Sequence, residues 1–339
     1  MKEALLYKKL DNKKVQCNLC AHRCVIAEGK RGICGVRENQ KGKLYSLVYG
    51  KAIAKSIDPI EKKPFFHFLP GSFSFSFSTV GCNFQCKNCQ NWDISQGPRL
   101  SDGKILGENL EPEKIVKETL ESKCQSVAYT YTEPTIFMEY ALATMKIAKG
   151  KGLKNVWVSN GFMAEEALEI IAPYLDAANI DLKSFSDEFY QKYCGARLQP
   201  VLDSLKRMKE KNIWLEATTL IIPTLNDSGK ELKQIADFIK KELGEETPWH
   251  ISQFCGEISW KLQDFPTTPV ETIEMACQIG KSAGLKYVYS GNIPGFYWEN
   301  TYCPKCGELM IKRQGYSIIR FDKNGHCPKC GESLDITIN

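Results

Sequence analysis

Serine and phenylalanine alternate along residues 72–80, SFSFSFSTV, at the period of two that marks a strand, and the run ends in Gly-Cys. Strand-like runs recur at 126–132 (SVAYTYT), 155–159 (NVWVS), 178–182 (ANIDL), 213–222 (IWLEATTLII), 249–254 (WHISQF) and 286–290 (KYVYS). Between them apolar positions fall at helical spacing. Pro112 stands where a helix would start, followed by Ile115, Val116 and Leu120. Residues 164–175 read as an amphipathic helix, as do 230–243, with Leu232, Ile235, Phe238, Ile239 and Leu243 on one face. Residues 269–283 follow suit, with Ile273, Cys277 and Ile279 as candidate core. Strand–helix repetition predicts an α/β fold with a parallel sheet. Six or seven such units fit either a partial (β/α)6 barrel of the TIM type or a doubly wound sheet. In both, ligands gather at the carboxyl ends of the strands.

The chain has 339 residues, 43% hydrophobic and 25% charged, which excludes collagen-like, coiled-coil and fully disordered classes. No apolar run approaches the roughly 20 residues of a membrane span. The start, MKEALLYKKLDNKK, has no apolar h-region, so a cytoplasmic protein without a membrane partner is expected. Residues 1–48 hold 11 Lys/Arg against 4 Asp/Glu, a local +7 out of a total of +5. Such a stretch is ordinarily a solvated lysine-rich surface, and otherwise meets an acidic partner or RNA.

Cysteine changes the picture. Fifteen cysteines are too few for a disulfide scaffold of this length, and clusters of them in a cytoplasmic chain point to metal. Eleven fall in three groups, which divide the chain into an N-terminal four-cysteine module (1–48), a large middle domain (49–295) and a C-terminal module (296–339). Cys303, Cys306, Cys327 and Cys330 form two CPKCG knuckles around strand-like residues 316–321, the pattern of a structural zinc ribbon. Cys17, Cys20, Cys24 and Cys34 suit either zinc or a [4Fe–4S] cluster, and spacing does not choose between them. Cys82, Cys86 and Cys89, spaced C-x3-C-x2-C just after the first strand, offer three thiolates where a cubane needs four ligands. One iron would keep an open position for a substrate or cofactor. The remaining four, Cys124, Cys194, Cys255 and Cys277, read as buried small hydrophobes, with a reactive thiol at the pocket rim as the alternative for Cys255.

The segment STVGCNFQCKNCQNW resembles the cluster loop of the radical S-adenosylmethionine (SAM) superfamily, and more closely its branch of pyruvate formate-lyase-activating enzymes. The order of four-cysteine module, cluster loop, IDLK and terminal CPxCG ribbon is similar to the radical SAM enzyme of the AmmeMemoRadiSam system. DPIEKKPFFHFLPGS, VYSGNIPG and ENTYCPKCG extend that likeness over nearly the whole chain. The resemblance implies a partial (β/α)6 barrel around SAM, a [4Fe–4S] cluster on Cys82, Cys86 and Cys89, and reductive cleavage of SAM to a 5′-deoxyadenosyl radical that abstracts hydrogen from a protein or small-molecule substrate. It also implies a reducing electron donor and MEMO-like and AMMECR-like protein partners.

Individual residues carry over. Thr132 and Glu133 stand in YTEP at the second strand end, where the superfamily holds the methionine amino group on a G-G-E-P-like segment; Tyr131 and Thr132 replace its glycines. Ser159 and Asn160 match the third-strand segment near the SAM ribose and carboxylate, with Val158 where relatives often have aspartate. Asp181 and Lys183 match the fourth-strand IDLK. Glu216 and Thr218 fall where relatives contact ribose and adenine. His250 is a pocket candidate or a core histidine, and His67 a candidate to close over the site or a loop contact. Gln253 and Cys255 stand where the AmmeMemo relatives tend to carry arginine and proline. Three alternatives stay open: a glycyl-radical-enzyme activase, an RNA-modifying radical enzyme, and a non-enzymatic multi-zinc protein. The second is weakened because the basic residues of the ribbon are interleaved with Glu308, Asp322, Glu332 and Asp335.

Overall fold

The computed structural model describes residues 1–338. Its main sheet has seven parallel strands, β1 (Phe73–Ser78), β2 (Ser126–Tyr129), β3 (Lys154–Ser159), β4 (Ala177–Asp181), β5 (Trp214–Ile221), β6 (Trp249–Gln253) and β7 (Val288–Gly291). They lie side by side in chain order, and an antiparallel edge strand, Ala54–Pro59, completes the β1 side. All seven expected strands are present, which is one parallel strand more than six β/α units supply. Six longer helices connect them, with shorter turns between: α1 (Pro112–Glu121), α2 (Met138–Gly150), α3 (Glu165–Ile171), α4 (Gln199–Glu210), α5 (Gly229–Phe238) and α6 (Val270–Ala283).

The alternation in β1 sorts its two faces. Phe75 and Phe77 are buried with Tyr129, Trp157, Ile180, Ala217 and Trp249 beneath the helices. The opposite face is covered by the chain itself. Ile60, Phe65, Phe68 and Leu69 pack on Ala128, Val156, Ala177 and the partly buried Val158 and Trp214. One helix differs from expectation and one was not foreseen. Leu120 is exposed, and Thr119 takes the inward position in α1 with Ile115 and Val116. The α2 sequence is apolar almost all round, so it shows no stripe; Met138, Tyr140, Ala141, Leu142 and Met145 are all buried.

The two outer modules sit at opposite ends of the strands. The N-terminal one is built of two small antiparallel sheets, Lys2–Glu3, Lys43–Ser46 and Arg37–Gln40, and Tyr7–Lys9, Val15–Cys17 and Val25–Ile26. It meets the carboxyl end: Ala21 N–H donates to Phe162 O (3.2 Å) and Ala164 N–H to Leu19 O (3.1 Å), just beyond β3. The fully buried Arg37 forks onto Glu139 at the start of α2 with N···O distances of 2.7 and 2.8 Å. The C-terminal module is a hairpin, Leu309–Gln314 and Ser317–Arg320, carrying the two knuckles. It meets the amino end, where residues 60–69 run. Thr337 N–H donates to His67 O (2.8 Å), Leu69 N–H to Thr337 O (3.0 Å), and the Arg313 guanidinium to Phe66 O (2.9 Å).

Candidate active site at the carboxyl end of the sheet

Beyond β1 the chain turns through Gly81 at φ +98°, a backbone conformation that glycine adopts freely. A Cβ there would stand 2.6 Å from Val36 Cγ1 and 2.8 Å from Cys34 O, so glycine is also required by the close approach of the N-terminal module. The loop that follows carries Cys82, Cys86 and Cys89. It is anchored from the far side by Gln85 N–H to Cys194 O and Lys87 N–H to Tyr193 O, both 2.8 Å.

Each of the three thiols has a polar neighbour. Phe84 N–H donates to Cys82 Sγ (3.4 Å), and the Asn160 amide stands 4.0 Å from the same sulfur. Ser95 Oγ is 3.3 Å from Cys89 Sγ. A hydrogen bond from the buried Cys194 thiol holds Cys86 below the ordinary thiol range, whereas burial and the nearby Glu133 push Cys82 well above it. Burial pushes Cys89 up to about 11. Cys194 therefore lies against the cluster loop; an isolated cysteine 105 positions after Cys89 carried no signal for this in the sequence.

The expected SAM-side residues divide in two. Glu133, Ser159 and Asn160 are brought together. The Glu133 carboxylate accepts from Thr135 N–H (3.0 Å), Thr135 Oγ1 (2.5 Å), Ser159 Oγ (2.8 Å) and Asn160 N–H (2.8 Å), tying the end of β2 to the end of β3. Burial raises its pKa despite those four donors. Thr132 Oγ1 caps Thr79 O at the end of β1 (2.9 Å). Asp181, the last residue of β4, pairs with Lys183 at 2.7 Å. Burial would lower the Lys183 pKa, but Asp181 and the thiols of Cys86 and Cys194 hold it well above the usual range.

Glu216 and Thr218 have other partners. The Glu216 carboxylate accepts from Phe66 N–H (2.9 Å), His67 N–H (3.0 Å), Trp214 Nε1 (3.1 Å) and His250 Nε2 (2.6 Å), around the segment that covers the sheet. Thr218 Oγ1 donates to Asn179 Oδ1 (2.8 Å), whose amide holds Pro64 O (2.8 Å). Their polar atoms are engaged by Phe66, His67, Trp214, His250 and Asn179. His67 lies with them: its Nδ1 faces Leu334 O and Asp335 O, so it carries the proton, and Nε2 accepts from Tyr289 OH at 2.6 Å.

A further cluster was not foreseen. Tyr131 takes a left-handed φ of +63° where the superfamily pattern has glycine. Its hydroxyl bonds Asp58, and Lys63 lies 4.1 Å above its ring and 2.7 Å from Asp58. Burial pulls the Lys63 ammonium down to about 8. These contacts hold a tyrosine in a conformation it rarely adopts unaided.

The sulfurs of the C-terminal group behave differently. Cys303–Cys330 and Cys306–Cys327 are each 3.6 Å apart, and all four Sγ atoms lie within 4.8 Å of one another. A tetrahedron with metal–sulfur bonds of ~2.3 Å has edges of about 3.8 Å, so these residues fit one metal ion. Among the described residues no other group of three or more ligand atoms is so compact.

Comparison with known proteins agrees with this arrangement. Residues 76–239 match the family model described as the radical SAM superfamily. An uncharacterized protein of Methanocaldococcus jannaschii is 47% identical over 92% of both chains. The pyruvate formate-lyase-activating enzyme of Clostridium pasteurianum is 24% identical over 50% of this chain and 72% of its own. A crystal structure of a radical SAM methyltransferase from Sphaerobacter thermophilus superposes with a TM-score of 0.50 at 15% identity, covering 71% of each chain, a likeness of fold. The cysteine loop beyond the first parallel strand, set in an α/β sheet of this order, places the chain in the radical SAM superfamily.

Proposed function

We propose that Cys82, Cys86 and Cys89 hold a [4Fe–4S] cluster whose open iron binds SAM, within a sheet that forms a partial (β/α)6-type barrel. When bound, the pair supplies one electron to a sulfur–carbon bond of SAM and a 5′-deoxyadenosyl radical for hydrogen abstraction from a protein or small-molecule substrate. The observation that carries this reading is the juxtaposition of the three-thiol loop with the Glu133–Ser159–Asn160 brace, through Asn160, which faces Cys82 and also donates to Asn83 Oδ1 at 2.8 Å.

The chain's own residues prepare the site. Phe84 N–H and Ser95 Oγ lie in hydrogen-bonding reach of Cys82 and Cys89 and offset part of the burial that disfavours their thiolates, while the Cys194 thiol favours the thiolate of Cys86. Lys183 adds a cation beside Cys86. Glu133 fixes the ends of β2 and β3, and Asp181, Lys183 and Thr132 stand around the same end of the sheet as SAM-side candidates. We leave Glu216 and Thr218 out of the SAM site, because their polar atoms are occupied elsewhere. The compact C-terminal cysteines suit zinc.

An activase role is the second reading, favoured by the similarity to activating enzymes, of which a putative glycyl-radical enzyme activating enzyme of Methanocaldococcus jannaschii is 28% identical over 48% of this chain. MEMO-like and AMMECR-like partners rest on the order of motifs alone. The test is anaerobic reconstitution, reduction with SAM present and chromatography of 5′-deoxyadenosine. The native protein should form the nucleoside, and Cys82→Ala, Cys86→Ala and Cys89→Ala should each abolish it. No cleavage by a protein shown to hold the reduced cluster would sink the proposal.

A further inference from the structure

The N-terminal cysteines line one cavity. Cys17, Cys20, Cys24 and Cys34 line it together with Arg37 and Asn83. Cys17, Cys20 and Cys34 are buried and Cys24 is partly exposed. Unlike the C-terminal group, the four do not converge within 4.8 Å of one another. A single tetrahedral zinc demands sulfurs about 3.8 Å apart. A cubane binds each thiolate at a different corner iron, so its ligands stand farther apart around a larger void. Arg37 and Asn83 are each about 1% exposed, and each leaves a buried side-chain nitrogen without a partner. Unspent donors at a void walled by thiols suit an anionic group bound there.

The cavity also adjoins the catalytic loop. Asn83 lines it and follows Cys82 directly. The Arg99 guanidinium joins Ile33 O, beside Cys34, to Cys82 O. His22, another lining residue, holds Asn83 O at 2.8 Å. Every one of these contacts runs between the two cysteine sets.

We infer that Cys17, Cys20, Cys24 and Cys34 hold a second [4Fe–4S] cluster, and that it passes electrons singly to the cluster on Cys82, Cys86 and Cys89. The relay rests on the proposed SAM chemistry; the identity of the second centre does not. A low-potential one-electron carrier protein reduces the outer cluster. The outer cluster returns to its oxidised state as the inner one is reduced, and no proton or bond changes hands. The eleven Lys/Arg against four Asp/Glu of residues 1–48 favour an acidic carrier.

The test begins with a Cys82→Ala, Cys86→Ala, Cys89→Ala triple variant, in which the N-terminal module is untouched. It is reconstituted anaerobically with iron and sulfide while zinc competes. About four iron and one zinc per chain are expected, with an electron paramagnetic signal on reduction that SAM leaves unchanged. Two zinc and no iron would overturn the assignment, whatever the native protein does with SAM. For the relay, Cys24→Ser is compared with the native protein under two reductants. With reduced ferredoxin its nucleoside formation should fall at least tenfold, while a small photoreductant that reaches the inner cluster directly should support cleavage at near the native rate, which also shows that the variant is folded. Equal rates with ferredoxin would overturn the relay. Failure of the native protein under both reductants would instead fall on the proposed SAM cleavage.

Discussion

The two four-cysteine modules have the same donor count and opposite designs. The C-terminal one brings two pairs of sulfurs to 3.6 Å and touches the sheet at its amino end, away from the three-cysteine loop. The N-terminal one spreads its sulfurs around a cavity and presses on the cluster loop at the carboxyl end. Two CPKCG turns are local devices, each able to aim two thiolates regardless of what lies nearby. The C-x2-C-x3-C-x9-C set shares its pocket with Asn83 of the three-cysteine loop and is tied to that loop through Arg99 and His22. A self-contained site can serve as a staple; a site walled in part by a second cysteine loop is placed to communicate with it.

The sharpest way to break the comparison is to remove a knuckle. Cys306→Ala or Cys327→Ala should release the C-terminal metal and lower the thermal midpoint by about 10 °C or more, since metal binding there is folding energy for a small module. Iron content, read in parallel, should stay unchanged. An equal loss of iron would show that the two ends are not independent.

Arg37→Ala comes next. It leaves the Glu139 carboxylate buried without its partner, at a cost of about 3–5 kcal/mol. Denaturant unfolding should show it, and Arg37→Met with Glu139→Leu should recover most of the loss. No recovery would mean that Arg37 acts through the cysteine cavity rather than through the pair.

His67 sharpens the amino end. Burial lowers its pKa to about 4, against about 6.5 for a free imidazole. The folded state therefore holds it neutral where the unfolded chain takes up a proton. This contribution is whole above pH ~6.5, and about 3 kcal/mol is lost as pH falls from there through pH ~4. Equilibrium unfolding across that range should be flatter for His67→Gln than for the native protein. The smallest effect is at the surface of the ribbon: Lys329→Ala breaks an exposed pair with Glu308 and should move stability by less than about 1 kcal/mol in the same assay.

Much of the candidate site was legible because its signals are local. Three cysteines beside the period-two run of β1 point to a reactive centre without any knowledge of the fold, and the Ser159–Asn160 and Glu133 segments follow strand ends. Helix α2 was hidden by its own burial, since a helix apolar on all sides has no stripe. Helix α4, by contrast, had a readable face in Val201, Leu202, Leu205 and Met208 that the sequence reading passed over. Glu216 is a SAM-side candidate by resemblance, and strand periodicity leaves a glutamate there facing either a ligand or a packed segment. Segment 60–69 supplies two N–H groups to that carboxylate, a contact that no local pattern announces.

The amino-acid sequence by itself determined the α/β order, the three cysteine groups and the superfamily, because strand period, helix period and ligand spacing are written within a few residues of each other. The tertiary structure decided what faces what. It set Cys194 against Cys86, held Tyr131 in a glycine-like turn through Asp58 and Lys63, and sent the two modules to opposite ends of one sheet. Those outcomes depend on contacts between residues tens to hundreds of positions apart. Burial and hydrogen-bond satisfaction fix such contacts only once the whole chain has packed.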